Sequence, residues 1–161
     1  MESHKIWKFD HDVDTDQIIP SQYLLLPTVD DMKSHTFESF RPELVSRFNA
    51  GDVIVAGKNF GCGSSREQAP RVLQAIGTAA VVAQSFARIF FRNSINVGLP
   101  LLVCPELYQR VKEGDSLSFS FEKGEIYHGD TLYRFQTFPE HLRKIIDRGG
   151  LINYLNSQDE D

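Results

Sequence analysis

Cysteine is scarce in this chain: Cys62 and Cys104 are the only two among 161 residues. Two thiols cannot supply the four thiolates of a zinc or iron–sulfur site, and both are read as reduced. Long apolar runs are missing as well. No stretch approaches the roughly 20 residues of a membrane-spanning helix, and the start, MESHKIWKFDHDVDTD, is too polar and acidic for a secretory signal. A cytoplasmic protein with no membrane partner is expected. An excess of positive charge is also absent. The formal net charge of −5 argues against nucleic acid or an anionic membrane surface as a partner. An anion site must therefore be local, built from a few arginines and backbone N–H groups.

What remains has the composition of an ordinary globular protein, 41% hydrophobic and 24% charged. The length is about that of one domain, spanning 1–161. No repeat or low-complexity linker interrupts it, and only 156–161 reads as a frayed acidic tail. Ile6 to Phe9 has a weak strand pattern, and Asp10 to Asp16 reads as an acidic turn. After Pro20, the stretch SQYLLLPTVDDMKSHTFESF reads as a loop, and Arg41 to Phe48 as a short helix. Asp52 to Ala56, Thr78 to Ala83 and Leu101 to Cys104 are continuous apolar runs of strand length, with helices expected between them through about Ile76 and over Phe86 to Asn93. Ser85 is the expected N-cap of the second. Such strands imply parallel pairing covered by helices. The last third alternates: Ser116 to Phe121, Glu125 to His128 and Thr131 to Phe135 predict a small antiparallel meander. Pro139 at the first helical position opens a final helix to about Asp147, stopped by Gly149-Gly150. The fold class is α/β, a parallel core sheet with helices plus that meander.

The chemistry is concentrated in GKNFGCGSSREQAP, Gly57 to Pro70, directly after the first buried strand. Two uses of this stretch are open. Ser64-Ser65-Arg66-Glu67 fits an S-x-x-E capping box, although Pro70 would then lie inside the helix. Alternatively, the freed N–H groups and Arg66 form a cradle for a carboxylate. The pattern lacks G-K-[ST] and G-x-G-x-x-G, so carboxylates suit it better than nucleotide phosphates. No histidine shows triad spacing to a serine. A serine acting as a base would need its alkoxide stabilised by preorganised donors, which this loop can offer. The aspartates at 10, 12, 14 and 16 lack the glycine and terminal glutamate of a calcium loop, and no metal is expected there.

GKNFGCGSSREQAP, with DTDQIIPSQYL before it and ARIFFRNSINVGLPLL after it, resembles the small subunits of 3-isopropylmalate dehydratase. These subunits match the swivelling C-terminal domain of aconitase. The similarity runs in order over nearly the whole chain, whose length is that of the short archaeal-type form shared with homoaconitase and 2,3-dimethylmalate dehydratase small subunits. The resemblance implies a swivelling β/β/α domain that works as one half of a hydro-lyase, interconverting 2- and 3-isopropylmalate by dehydration and rehydration in leucine biosynthesis. It implies Ser64 as the base. Gly63, Ser65 and Arg66 fall in the carboxylate-binding block, and Thr15 and Asp16 beside the serine. It also implies a large subunit that carries a [4Fe-4S] cluster, with no cofactor on this chain. Where the family has histidine after S-S-R-E, this chain has Gln68, which carries no proton at neutral pH.

Within the family the loop after D-T-D-Q-I-I-P meets the variable end of the substrate. Here that loop is Tyr23-Leu24-Leu25-Leu26, with no cation before Lys33. Leucines leave a third carboxylate unpaired but accept methyl or isopropyl groups, so an alkylmalate is expected. The same leucines also suit a plain role in covering the core. A 2,3-dimethylmalate dehydratase, a related alkylmalate or homoaconitate hydro-lyase, and a non-enzymatic dicarboxylate-binding module are the competing readings. Arg88 and Arg92 are read as solvated charges or contacts to the large subunit, and Cys62 as a packed loop thiol.

Overall fold

The structure is a computed structural model and describes residues 1–159. The apolar runs form β2 (Val53–Ala56), β3 (Ala80–Ala83) and β4 (Leu101–Val103), and β1 (His4–Lys8) pairs beside β2, all parallel. The alternating third forms β5 (Ser116–Ser120), β6 (Glu125–His128) and β7 (Thr131–Arg134), each antiparallel to the next. Because β5 also pairs antiparallel with β1 (His4 opposite Leu117), the meander is not a separate sheet. One seven-stranded sheet runs β4-β3-β2-β1-β5-β6-β7.

Burial of both faces explains why β2 and β3 read as unbroken hydrophobic stretches. Ile54, Ala56, Val81 and Leu101 face a cluster with Val72, Leu73 and Phe90. These last three lie on α4 (Gln68–Ala75) and α5 (Arg88–Val97). Val53, Val55, Val82 and Leu102 face the other way. They pack against Leu107 and Val111 and against Leu117 and Ile126 of the meander. Each Val or Ile closed off in this way contributes about 1.5–3 kcal/mol relative to an exposed one. A third cluster joins Ile95 of α5 to Ile145 and Ile146 of α6 (Glu140–Asp147).

Several element boundaries differ from expectation for local reasons. The strand expected from Asp52 starts at Val53, because the Asp52 carboxylate accepts from Trp7 Nε1 (2.9 Å) and the Asn49 N–H (2.9 Å). The helix expected over Arg41 to Phe48 shrinks to α3 (Leu44–Arg47). Arg41 is drawn instead to the Lys8 carbonyl (3.1 Å) and to Glu113 (2.9 Å). The loop expected after Pro20 contains α2 (Val29–Met32), capped by Thr28, and 3₁₀ turns at Ser21–Tyr23 and Lys33–His35. Ser85 does not cap α5, where Ala87 occupies that position; the Ser85 hydroxyl accepts from the Asn59 N–H at 2.8 Å. Pro139 is the N-cap of α6 rather than its first residue. Gly149 and Gly150 do stop α6, with φ of 81° and 122°, but the chain turns there and continues as α7 (Leu151–Asp159). The tail expected to fray from 156 is helical through 159, and its last two positions lie outside the described residues. Among the described residues no helix is long and apolar enough to cross a membrane.

Candidate active site

Beyond the carboxyl ends of β1, β2 and β3 the chains keep pairing without being strands. The Asp12 N–H donates to the Lys58 carbonyl (2.8 Å), Gly61 to Val13 (2.7 Å) and Thr15 to Cys62 (2.9 Å), while Ala87 donates to Phe60 (2.9 Å). Isolated parallel bridges, Asp14 with Cys62 and Phe60 with Phe86, mark the same continuation. The glycine-serine loop is therefore held between two neighbours at the carboxyl edge of a parallel sheet, where open α/β folds bind their ligands. Gly61 has φ 86°, and a Cβ there would overlap the Phe90 ring, so a side chain is excluded twice over.

The capping-box use of Ser64 is not realised. Helix α4 begins at Gln68 behind Glu67, with no side-chain cap. Pro70 thus falls in the first turn, where a backbone N–H has no intrahelical acceptor to lose. Ser64 and Ser65 are exposed instead.

What holds them is the Thr15-Asp16 pair. These residues open α1 (Thr15–Ile18), and the D-x-x-Q box of Asp14 and Gln17 fixes its start: the Gln17 N–H donates to Asp14 Oδ1 (2.8 Å) and the Asp14 N–H to Gln17 Oε1 (3.1 Å). The Thr15 side chain, 2% exposed, donates from Oγ1 to the Ser64 carbonyl at 2.7 Å. Arg66 Nη1 donates to Asp16 Oδ1 (3.0 Å) and to the Ile19 carbonyl (2.9 Å). Both bonds use one nitrogen, which leaves Nε and Nη2 for a ligand. The remaining aspartates of the acidic turn have separate partners: Asp10 accepts from the Tyr108 hydroxyl and Asp12 from Asn59.

A cavity of about 210 Å³ opens between this loop and the first turn of α5. Gly63, Ser64, Ser65 and Arg66 border it on the loop side, and Arg88, Ile89 and Phe90 on the helix side. Thr15 and Asn93 also line it. Five sequence-predicted site residues thus meet in one space, with Asp16 bonded to Arg66. Arg88 and Asn93, which lie in the ARIFFRNSINVGLPLL stretch, were not expected at the site: the crossing from β3 into α5 brings them to the Ser64 cavity. Tyr23 to Leu26 do not border this cavity. Leu24 and Leu26 pack on the core and Leu25 stands 93% exposed. The Tyr23 ring stacks on His35 (3.7 Å between centroids, 8° between planes), and Glu38 accepts from His35 Nδ1 (3.0 Å). A hydrogen bond to the Glu38 carboxylate raises the Tyr23 pKa and lowers that of Glu38. Burial, reinforced by Asp14 and Asp12, raises the Cys62 thiol, so this loop cysteine is not an activated thiolate.

The site thus sits on a mixed sheet whose parallel edge carries a glycine-serine-arginine loop, pinned by a threonine-aspartate pair. The family model for the aconitase C-terminal domain matches residues 27–106. The chain is 50% identical over 153 residues to a 3-isopropylmalate dehydratase small subunit from Lachnospira eligens, covering 95% of this chain and 93% of that one. It is 44% identical over 158 residues to a methanogen homoaconitase small subunit from Methanothermobacter thermautotrophicus, covering 96% and 91%. A crystal structure of 3-isopropylmalate dehydratase from Methanocaldococcus jannaschii superposes with a TM-score of 0.91 at 40% identity, covering 98% of this chain and 94% of that one. The chain belongs to the family of 3-isopropylmalate dehydratase small subunits, components of heteromeric hydro-lyases.

Proposed function

We propose that this chain is the small subunit of an alkylmalate hydro-lyase, with isopropylmalate as its substrate, and that Ser64 is its base. The observation that carries this reading is that the exposed Ser64 borders the cavity while its carbonyl is pinned by the buried Thr15. A fixed backbone with a free hydroxyl is what a positioned proton-transfer group requires. Ser64 Oγ, as its alkoxide, takes the proton from the carbon next to a substrate carboxylate and becomes the hydroxyl, the substrate's hydroxyl leaves the adjacent carbon, and a double bond remains. Return of that proton and of the hydroxyl, with the two positions exchanged, gives the isomer. Ser65 and the unused nitrogens of Arg66 hold a carboxylate through these steps, and Asp16 keeps the guanidinium aimed. Neither cysteine of this chain is placed for an iron–sulfur cluster. Cys62 sits in the loop, Cys104 is buried in the opposite core cluster, and no group of three metal-binding side chains converges among the described residues. A [4Fe-4S] cluster held by the large subunit would supply Lewis-acid activation of the departing hydroxyl.

The reading puts the substrate's side chain against the leucine loop, which does not border the Ser64 cavity in this chain and would have to meet the substrate through its exposed Leu25. Lys33, the first Lys or Arg after this loop, is paired with Asp30 at 2.8 Å on the surface. Alkyl groups gain about 0.8 kcal/mol per buried CH₂ against leucine. The relative named as a homoaconitase gives the rival substrate a specific footing, and Leu25→Arg decides between them. Isopropylmalate turnover is expected to fall about tenfold and homoaconitate turnover to appear; unchanged isopropylmalate turnover with no gain refutes the loop assignment. For the reaction itself, the chain is mixed anaerobically with its large subunit and dehydration of isopropylmalate is followed by absorbance. Activity is expected only in the mixture and lost in Ser64→Ala. Binding of an alkylmalate by the chain alone, with every mixture inactive, would establish the dicarboxylate-binding module instead.

A further inference from the structure

Two guanidinium groups border the Ser64 cavity, and only one has a carboxylate of its own. Arg66 is bonded to Asp16. Arg88, on the opposite side, is exposed and has no ion pair or hydrogen bond among the described residues, although the chain carries 22 acidic residues. Among the described residues no aspartate or glutamate lines the cavity. The polar groups facing it are two arginines, two serine hydroxyls, Thr15 and the Asn93 amide, and the rest is hydrocarbon from Ala87, Ile89 and Phe90. A space lined by two guanidinium groups, one of them without a carboxylate partner among the described residues, and an apolar remainder is matched by a ligand with two anionic ends and a hydrocarbon middle. A single carboxylate on Ser65 and Arg66 leaves the Arg88 side unanswered.

We infer that Arg88 is a substrate-binding residue. It takes the second carboxylate of a dicarboxylic hydroxy acid whose first carboxylate lies on Ser65 and Arg66. The inference rests on the proposed reading of the cavity as the reaction site and adds to it a second anchor. Two arginines on opposite sides fix both ends of the substrate, so the carbon that loses its proton is held in register with Ser64 rather than free to pivot about one carboxylate.

The test uses the complex with the large subunit at saturating concentration of that subunit. Arg88→Ala is expected to raise KM for isopropylmalate about 10- to 100-fold, the range for loss of a hydrogen bond to a charged group, with a smaller change in kcat. Arg88→Lys should fall between, since it keeps the charge and loses the fork. Millimolar guanidinium chloride should lower the KM of Arg88→Ala and leave wild type unaffected. One of the two monoamides of isopropylmalate should be handicapped with wild type and nearly level with the diacid on Arg88→Ala. A wild-type KM in Arg88→Ala overturns the inference. So does weakened assembly with an unchanged KM once the large subunit is saturating, which would make Arg88 a subunit contact. An equal monoamide penalty in both enzymes overturns it too. Arg88 is exposed, and an unchanged melting temperature of the lysine variant checks that the fold is intact. Ser64→Ala separates the two levels. If it stays active, the reading of the cavity falls with the inference; if it is inactive while Arg88→Ala behaves as wild type, only the inference falls.

Discussion

Replacing Thr15 with valine removes one hydroxyl and almost no volume, and it tests how the site is held. In the native chain that hydroxyl is buried and donates to the Ser64 carbonyl at 2.7 Å. Loss of a neutral hydrogen bond costs about 0.5–1.5 kcal/mol, and up to roughly 3 when the abandoned acceptor is sealed from water. Ser64 is exposed, so its carbonyl can take a water and the cost stays near the low end, about 1 kcal/mol. For a chain of this size that lowers the melting temperature by about 2–4 °C. The effect on turnover should be far larger than this stability loss implies. The bond is the side-chain tether from α1 to the Ser64 backbone, and a displacement of about 1 Å at a reacting group can cost on the order of 100-fold. The assay is kcat of the reconstituted complex alongside the melting curve of the isolated chain. The expected result is a drop in kcat of about 10- to 100-fold with a KM within threefold of wild type, and Thr15→Ser should recover most of it. A valine variant that melts a few degrees lower yet keeps kcat within twofold would refute the tether.

Three further outcomes follow from local geometry. Gly61→Ala must carry a side chain in the left-handed region, about 1–2 kcal/mol, and push it into the Phe90 ring, about 1–3 kcal/mol. Melting should fall on the order of 10 °C and less than additively in a double variant with Phe90→Ala; a fall under 2 °C would show that the ring yields freely. Glu38 has its folded-state pKa lowered by the Tyr23 hydroxyl first and His35 second. Its contribution is therefore present above the ordinary glutamate value of about 4.3 and lost as pH falls through the lower folded value. The unfolding midpoint of Glu38→Gln should vary less than that of wild type as pH falls below about 4.3, and parallel curves would contradict the Tyr23–Glu38 bond. Cys62, its thiol pKa raised by burial and by Asp14 and Asp12, should react with iodoacetamide at neutral pH more slowly than free cysteine. An equal or faster rate would show that the loop does not shield it.

The parts of the fold that could be read from the sequence were those governed by burial. Val53 to Ala56, Ala80 to Ala83 and Leu101-Leu102 are apolar because both faces of the sheet are covered there, and Ser116 to Ser120 alternates because Leu117 is buried while its neighbours are not. What was misplaced depended on single long-range partners. The Ser85 hydroxyl serves Asn59 rather than α5, and Arg41 leaves its helix for Lys8 and Glu113. Helix α7 was missed because only three of its described positions are even half-buried, so its sequence carries little periodicity, and Gly149-Gly150 marks a stop equally well before a loop or a second helix. The same division holds at the site. The serine-arginine block stands out within one stretch, and the match of Thr15-Asp16 came from resemblance. The D-x-x-Q box that organises α1 was overlooked within an acidic turn, although its spacing is visible. Arg88 was read as a solvated charge because only the crossing from β3 into α5 places it opposite Ser64.

The first strand sits at the seam of the sheet, parallel to β2 on one flank and antiparallel to β5 on the other. A nascent chain emerging from the ribosome can therefore complete the four-strand parallel half, and with it the loop at its carboxyl edge, once about 105 residues are out. The far flank of β1 then waits, with its N–H and C=O groups unpaired, until residues 116–120 arrive. Any chain cut short between those points would present an open strand at the centre of its own architecture, a ready template for joining a second copy. The little meander thus closes the open flank of the strand that leads into the candidate site.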